Sequence, residues 1–182
     1  EPLFRSRDKR VLFVQFKKYN GILEGGGMAN RRNLSMAYQL LGEENVDVVY
    51  VHDENKKRTL WNWLASVFYF PFGYYNGFLP NRVEDIIKRA HAYDAVFLST
   101  SLFGILAKAL KERGYQGKVI AHFHNVESLY YESALPQHMP FRKVIIRCAD
   151  KNDGYSCQYA DKVVALNERD SKLLQQMYGR PA

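Results

Sequence analysis

Five short apolar runs alternate along the chain with segments of helical periodicity. The runs are rich in Val, Ile and Phe and nearly continuous in apolar character, which is typical of parallel strands buried on both faces. They cover residues 10–16, 46–53, 94–100, 118–124 and 162–167. The pattern therefore predicts five buried strands.

The segments between these runs predict helices. Several of them carry apolar residues at spacings of three and four. They cover residues 28–42, 81–93, 101–114, 141–159 and 168–178. Gly42, Gly114 and Gly179 are predicted to end three of them as C-caps. Strands that alternate with helices predict a single α/β domain over residues 1–182, with a Rossmann-like, open, mostly parallel, doubly wound sheet and helices on both faces.

This fold class predicts where a ligand binds. In open parallel sheets, ligands bind beyond the carboxyl ends of the strands. The candidate site residues are therefore those that follow each predicted strand, and polar and glycine residues concentrate in these segments. They cover residues 17–27, 53 onward, 99–102, 124–127 and 167–169.

The composition is that of a globular domain with a basic surface. The chain has 182 residues, of which 47% are hydrophobic and 25% are charged, so it can build a hydrophobic core. A formal net charge of +7 suits an anionic partner such as a nucleotide, a phosphorylated lipid head group or a membrane surface. Because the basic residues stand in short pairs and triplets, without a recognisable nucleic-acid module, we expect no nucleic-acid partner.

The number and spacing of the cysteines count against a zinc site and against a disulfide framework. Cys148 and Cys157 are the only cysteines, with neither a CxxC motif nor a His at ligand spacing. This arrangement indicates neither a zinc site nor a disulfide framework, which favours a reducing cytoplasm. The chain also lacks an Asp-x-Asp motif, and we predict neither a metal nor a cofactor.

Three consecutive glycines, Gly25, Gly26 and Gly27, precede the helix predicted at 28–42. Glycines between a strand and a helix allow a ligand close to the backbone, and helix N-termini attract phosphate. A dinucleotide is one candidate ligand, with Asp53 in the place of a ribose-binding acid. The distance from the first strand and the missing G-x-G-x-x-G pattern count against a nicotinamide or flavin enzyme. A P-loop is excluded because no Gly-Lys-Ser/Thr follows, whereas a plain tight turn stays open.

Three segments carry a resemblance to a known family. In order, they are "GGGMANRRNLSMAYQLLG" (25–42), "AHFHNVESLYYE" (121–132) and "ADKVVALNERDSKLLQQMYG" (160–179). Together they resemble the N-terminal half of a GT-B fold glycosyltransferase of family 4, over most of the chain and least in 55–89. The resemblance implies a retaining enzyme, which transfers a sugar from a nucleotide-sugar donor to a saccharide or lipid-linked acceptor in a cleft between two Rossmann-like domains.

The resemblance also implies roles for individual residues. The glycines at 25–27 would face the cleft, near the donor diphosphate or the acceptor. His124 would be catalytic, because a neutral imidazole can hydrogen-bond a sugar hydroxyl and support the charge that develops as the anomeric bond breaks. Asn125 and Glu127 would shape the acceptor side, although Glu127 also suits a helix start and is not expected to act as a base. His122 is predicted to be structural and to point to the opposite face from His124.

One part of the family's pattern has no counterpart in this sequence. The family binds its nucleotide mainly in a C-terminal domain with an acidic E-x7-E element and a basic pair, and Ala182 lies about where the linker to that domain would begin. We therefore expect this chain to supply the acceptor half and to be inactive in transfer by itself. A non-catalytic sugar- or nucleotide-binding module of the same fold is the alternative.

The segment 60–79 contains no charged residue, and it follows the basic cluster 56–58. It holds both tryptophans, Trp61 and Trp63. Pro71 and several polar or glycine residues interrupt its second half, which counts against a membrane span. We predict a short helix to about Phe70 and then an aromatic loop, which either packs in the core or contacts a membrane surface or a lipid-linked acceptor. Contact with a membrane would place the protein peripherally on the inner face.

Overall fold

A five-stranded parallel sheet forms the centre of the computed structural model, which describes residues 9–17, 25–52, 64, 67–75 and 77–182. The strands are β1 (Val11–Gln15), β2 (Val46–Tyr50), β3 (Ala95–Leu98), β4 (Lys118–Phe123) and β5 (Lys162–Ala165). Their order is β2-β1-β3-β4-β5, and each neighbouring pair is parallel. The predicted α/β fold class is confirmed, and each strand lies within its predicted apolar run.

Helices connect the strands as the alternating pattern predicted. They are α1 (Gly25–Leu41), α2 (Pro80–Ala90), α3 (Gly104–Glu112), α4 (Glu127–Ala134), α5 (Arg142–Tyr159) and α6 (Glu168–Tyr178). Short 3-10 helices lie at Glu43–Asn45, Phe70–Phe72 and Ser101–Phe103. Gly42, Gly114 and Gly179 follow α1, α3 and α6 with positive φ angles, as predicted for helix ends.

Two details differ from the sequence prediction. The helix α1 begins at Gly25 rather than Met28, so the glycine triplet forms its first turn instead of a preceding loop. A first turn tolerates glycine because its backbone N–H groups have no partner within the helix in any case. The helix α4 was not predicted as a separate element, although Glu127, its first residue, was recognised as a helix start.

The two faces of the sheet are covered unequally. On one face, residues such as Leu12, Val14 and Leu98 form the larger core with α2, α3, α5 and α6. On the other face, α1 packs over Val11 and Phe13, and the Phe13 ring stacks on Phe97 at a centroid distance of 4.6 Å. Both faces are apolar, which explains the nearly continuous hydrophobic runs in the sequence.

The aromatic segment around Phe70 contributes to the core and to the surface. Residues 64 and 67–69 are helical and lead into the 3-10 helix Phe70–Phe72. Phe70 and Phe78 are buried, whereas Phe68 and Phe72 are exposed. Among the described residues, no helix is long and apolar enough to cross a membrane.

The helix α5 carries both cysteines as buried free thiols. Burial raises the pKa of each thiol, Cys148 and Cys157, to about 12. Thiols with such raised pKa values carry little thiolate at neutral pH, and therefore they act as small apolar core residues.

In the larger core, α3 and α5 pack closely against each other. Asn152, in α5, is fully buried, and its Oδ1 accepts a hydrogen bond of 2.8 Å from the Ile105 backbone N–H at the start of α3. Its Nδ2 donates to the Gly73 carbonyl (2.8 Å) and to the Cys148 carbonyl (2.9 Å). A Cβ atom at Gly104 would lie 2.0 Å from the Asn152 carbonyl oxygen. The two helices therefore approach this closely only because residue 104 is glycine.

We expect Gly104→Ala to lower the free energy of unfolding by at least about 2 kcal/mol, because the new methyl group meets helix backbone that moves only with the whole of α5. Denaturant unfolding followed by circular dichroism measures the change. Gly154→Ala, also in α5, is the matched control, since its Cβ would lie 3.7 Å from the nearest Tyr178 ring atoms, an ordinary contact. The control should be neutral or slightly stabilising. Equal stability of the two variants would contradict this account of the α3–α5 packing.

Candidate functional site

The candidate site lies at the carboxyl edge of the sheet. The strand order reverses direction at β1, whose neighbours are β2 on one side and β3 on the other. In parallel sheets this reversal leaves a crevice beyond the strand ends, where ligands bind. The helix α1, which follows β1, begins at this edge, and His124 follows the end of β4.

His124 contacts the first turns of α1. Its Nε2 lies 2.9 Å from Oδ1 of Asn30, which is only 3% exposed. A Cβ atom added to Gly26 would lie 3.0 Å from Nδ1 of His124. Because Gly26 and Asn30 are one helical turn apart, they present the same face of α1 to the imidazole. The structure thus brings together two features that are far apart in the sequence, the glycine triplet and His124.

The environment of His124 keeps its imidazole neutral. Burial, together with a smaller effect of the neighbouring His122, lowers the pKa of His124 to about 4. With Asn30 Oδ1 as the acceptor, the neutral ring carries its proton on Nε2, and Nδ1 keeps a free lone pair. At neutral pH His124 can therefore accept a hydrogen bond at Nδ1, but it holds no second proton to donate as an acid.

The prediction for the side chain of His122 was wrong. We expected it on the opposite face from His124, but the two rings meet edge to face at a centroid distance of 4.9 Å. The reason is geometric, since residues two apart on a strand point to the same face. His122 is buried beside Phe97, its Nε2 lies 3.5 Å from Nδ2 of Asn33, and burial lowers its pKa. It forms a neutral layer beneath the His124 ring.

The other predicted residues of this loop lie in different environments. Asn125 is exposed beside His124. Glu127 is only 6% exposed and begins α4, with its carboxyl group directed into the protein near Asp153. An effect of Glu127 on an acceptor would therefore act through the position of α4 rather than by direct contact.

Two buried carboxyl groups lie at the start of α4, and one of them holds it. Asp153, in α5, is fully buried, and its Oδ2 accepts a hydrogen bond of 2.9 Å from the Ser128 backbone N–H. Burial, together with a smaller effect of the charge of Asp153, raises the pKa of Glu127 to about 8. Burial also raises the pKa of Asp153, to about 7, although nearby serine and backbone groups oppose the shift. The pair therefore retains protons near neutral pH.

Aromatic side chains line the carboxyl edge beyond β1. The ring of Phe16 packs against Phe103 at 4.4 Å, His52 at 5.4 Å and Tyr75 at 6.0 Å between centroids. The hydroxyl groups of Tyr75 and Tyr131 lie 2.6 Å apart, and their rings stack at 5.8 Å. This contact joins the segment after the 3-10 helix Phe70–Phe72 to α4. The edge therefore has an imidazole region at β4 and an aromatic region at β1.

The remaining predicted site residues fall into two groups, one in α1 and one outside the described residues. Gly25 and Gly27 lie with Gly26 in the first turn of α1. Trp61, Trp63 and Asp53 lie outside the described residues, so the hypotheses about a membrane contact or a ribose-binding acid at these positions stay predictions. Within the described ranges, no three His, Cys, Asp or Glu side chains form a group that could hold a metal ion.

Sequence reasoning missed Asn30, Asp153 and the Tyr75–Tyr131 pair. A signal existed for Asn30, which lies one turn after Gly26 on the side of the helix that faces the protein. Asp153 stands among polar residues in α5, and nothing in that local pattern indicates that it is fully buried. The two tyrosines are separated by 56 positions in sequence, so only the packing of the chain brings them together.

A surface pocket of about 530 Å³ lies at the opposite, amino edge of the sheet. Some of the polar groups that line it are paired with one another. Lys9 Nζ donates to Asp94 over 2.8 Å, and the Tyr115 hydroxyl donates to the Tyr93 carbonyl over 2.9 Å. None of the predicted site residues lines this pocket.

Comparison with known proteins gives no match, either to a protein-family model or to a curated protein. The resemblance to family 4 glycosyltransferases therefore rests on the three ordered sequence segments alone.

The buried carboxyl pair predicts how stability depends on pH. The pKa of Glu127 is raised from 4.5 in the unfolded chain to about 8 in the folded protein. A folded state that holds this proton more tightly loses stability as pH rises through that interval. We expect Glu127→Gln to reduce this loss and to be at least about 1 kcal/mol more stable than the wild type at the upper end. Urea unfolding at a series of pH values measures the effect.

The control for this prediction is Glu132→Gln, an exposed position of the same helix α4. It should reproduce the wild-type pH dependence, because its carboxyl group is in water in both states. In the Glu127→Gln variant the free energy of unfolding should still fall somewhat as pH rises, because the pKa of Asp153 is also raised. A Glu127→Gln profile parallel to that of the wild type would show that Glu127 is ionised in the folded protein.

Proposed function

We propose that this chain is the acceptor-side domain of a retaining glycosyltransferase, which transfers a sugar from a nucleotide-sugar donor to a saccharide or lipid-linked acceptor. The observation that carries the proposal is the contact between the glycine turn of α1 and the neutral imidazole of His124 at the carboxyl edge of the sheet. These two features are the motifs on which the sequence resemblance depends.

In this proposal His124 acts on the donor sugar. The Nδ1 atom accepts a hydrogen bond from a sugar hydroxyl, while Asn30 holds Nε2 and fixes the plane of the ring. A neutral imidazole suits a reaction that builds positive charge at the anomeric carbon, because it adds no positive charge that would repel it. The low pKa of His124 supports this role over that of a general acid.

The glycine turn provides the place for phosphate or for the acceptor. The helix α1 spans Gly25–Leu41, and its dipole and N-terminal N–H groups favour an anion at Gly25 and Gly26. A side chain at Gly26 would meet the His124 ring, so a glycine here keeps the imidazole and the helix end together. The exposed Asn125 can contact an acceptor from the neighbouring loop.

A non-catalytic sugar- or nucleotide-binding module of the same fold is the second candidate. The observation that favours it is the burial of the two carboxyl groups at the start of α4, the helix that follows the His124 loop. Glu127 and Asp153 are buried and serve the packing of α4 against α5, so they are not placed to act on a ligand as an acid or base. A binding module and an acceptor domain would both bind sugar at His124, but only the second would support transfer when a donor-binding domain is present.

Binding at His124 is the direct test. We expect a panel of saccharides or nucleotide sugars to shift the His124 ring signals in the ¹⁵N spectrum of the isolated chain. His124→Ala and Gly26→Ala should weaken this binding at least about tenfold, since each changes the surface that the sugar would contact. Ser35→Ala, on the exposed face of α1, is the control and should bind like the wild type. Shifts caused by NADH instead of sugars would favour the dinucleotide hypothesis and overturn this proposal.

The isolated chain should show little or no transfer. In the proposal the donor nucleotide is held mainly by a second domain, and these residues alone do not bring the donor and acceptor together. Incubation with radiolabelled nucleotide sugars and saccharide acceptors measures the activity. Robust transfer by the 182-residue chain would refute the assignment of this chain to the acceptor side alone.

A further inference from the structure

The first half of α5 extends beyond the carboxyl edge of the sheet. The helices α3 and α5 run side by side in the same direction, since Gly104 faces Asn152 and, one turn later, Lys108 lies over the Tyr155 ring at 4.8 Å. Gly104 begins α3 directly after the 3-10 helix that follows β3, so Asn152 marks the level of the sheet edge. The preceding residues of α5 therefore project about 15 Å past the strands, at a rise of about 1.5 Å per residue.

The projecting half of α5 carries a row of basic side chains. Lys143, Arg147 and Lys151 are four residues apart, so they lie on one face of the helix, and all three are exposed. None of them takes part in the ion pairs formed between described residues. The row is therefore a strip of positive charge with which no acidic side chain in the described part of the chain forms an ion pair.

Two exposed phenylalanines stand beside the end of this row. Lys151 Nζ donates a hydrogen bond of 2.7 Å to the Pro71 carbonyl, which fixes the 3-10 helix Phe70–Phe72 against α5. Phe72 is 57% exposed and Phe68 is 68% exposed, and their rings lie 6.2 Å apart. Phe68, Phe72, Lys143, Arg147 and Lys151 together form what we call the basic aromatic surface.

We propose that the basic aromatic surface docks the protein on a membrane with anionic lipids. Lys and Arg side chains are attracted to anionic head groups, and aromatic rings insert at the level of the head groups. The net charge of +7 adds a general attraction to the same surface. The two exposed rings carry no polar atoms and meet each other at a tilt of 45°, an arrangement that suits insertion into lipid better than parallel stacking of bases.

This surface lies at the same edge of the sheet as His124 and the glycine turn. Docking through it would hold the carboxyl edge close to the bilayer, where a lipid-linked acceptor presents its sugar. The lipid-linked class of acceptor rests on the proposed function, whereas the membrane contact itself does not. A failure of sugar binding at His124 would therefore leave the membrane proposal standing, and the reverse also holds.

The test is sedimentation with two kinds of vesicle, one of phosphatidylcholine alone and one of equal parts phosphatidylcholine and phosphatidylglycerol. We expect the chain to sediment with the anionic vesicles and to be released by salt. Lys143→Glu combined with Arg147→Glu should weaken binding at least about tenfold, since each basic residue near the surface contributes about fivefold. Phe68→Ser combined with Phe72→Ser should weaken it by a similar factor, and Trp61 and Trp63 stay unchanged in every variant.

Two control variants match these changes in charge and in apolar area. Lys162→Glu with Lys172→Glu makes the same change of charge at exposed positions of β5 and α6, and Met36→Ser with Leu40→Ser removes exposed apolar side chains from α1. Both should lose much less binding than the variants of the basic aromatic surface, and circular dichroism checks that every variant is folded. Absence of binding to the anionic vesicles, or equal loss in the control variants, would overturn the proposal. Displacement of the vesicles by a single-stranded oligonucleotide that needs the same residues would overturn it in favour of a nucleic-acid site.

Discussion

The arrangement of the carboxyl edge depends on one buried side chain, Asn152. Its amide satisfies the Ile105 N–H at the start of α3, the Gly73 carbonyl and the Cys148 carbonyl. Without it, a donor and two acceptors in the core would lose this partner, and each unsatisfied buried group costs about 1–3 kcal/mol. The absence of a side chain at Gly104 lets the α3 and α5 backbones come close enough for these bonds. This junction fixes α5 relative to the sheet, and α5 in turn holds the start of α4 and the 3-10 helix Phe70–Phe72.

The next residue along α5 transmits this position to the candidate site. Asp153 accepts the hydrogen bond from the N–H of Ser128, four residues after His124, and thereby holds the beginning of α4. The Glu127 and Asp153 carboxyl groups are buried together with raised pKa values, an arrangement that opposes folding more as pH increases. Asp153 therefore fixes the position of the loop that follows His124, although the burial of the two carboxyl groups makes the protein less stable as pH rises.

The imidazole of His124 shows how small residues and polar residues combine at a site. Gly26 leaves room for the ring, Asn30 orients it, and His122 supports it from beneath. All of these neighbours are neutral at pH 7, and the buried position lowers the pKa of the ring. The result is a hydrogen-bond acceptor that is held in one orientation at the edge where open parallel sheets bind their ligands.

The sequence by itself determined the strands, most of the helices, their glycine ends and the edge at which the candidate residues lie. These features follow from local patterns of apolar residues, which report burial directly. The tertiary structure alone decided that the glycine triplet meets His124, that Glu127 faces inward toward Asp153, and that Phe68 and Phe72 stand beside a basic row of α5. The contact of the triplet with His124 and that of the phenylalanine segment with α5 join residues about eighty or more positions apart, and Glu127 meets Asp153 across two different helices. The physical reason is that periodicity predicts which side of an element is buried, whereas helix packing decides which side chain lies opposite.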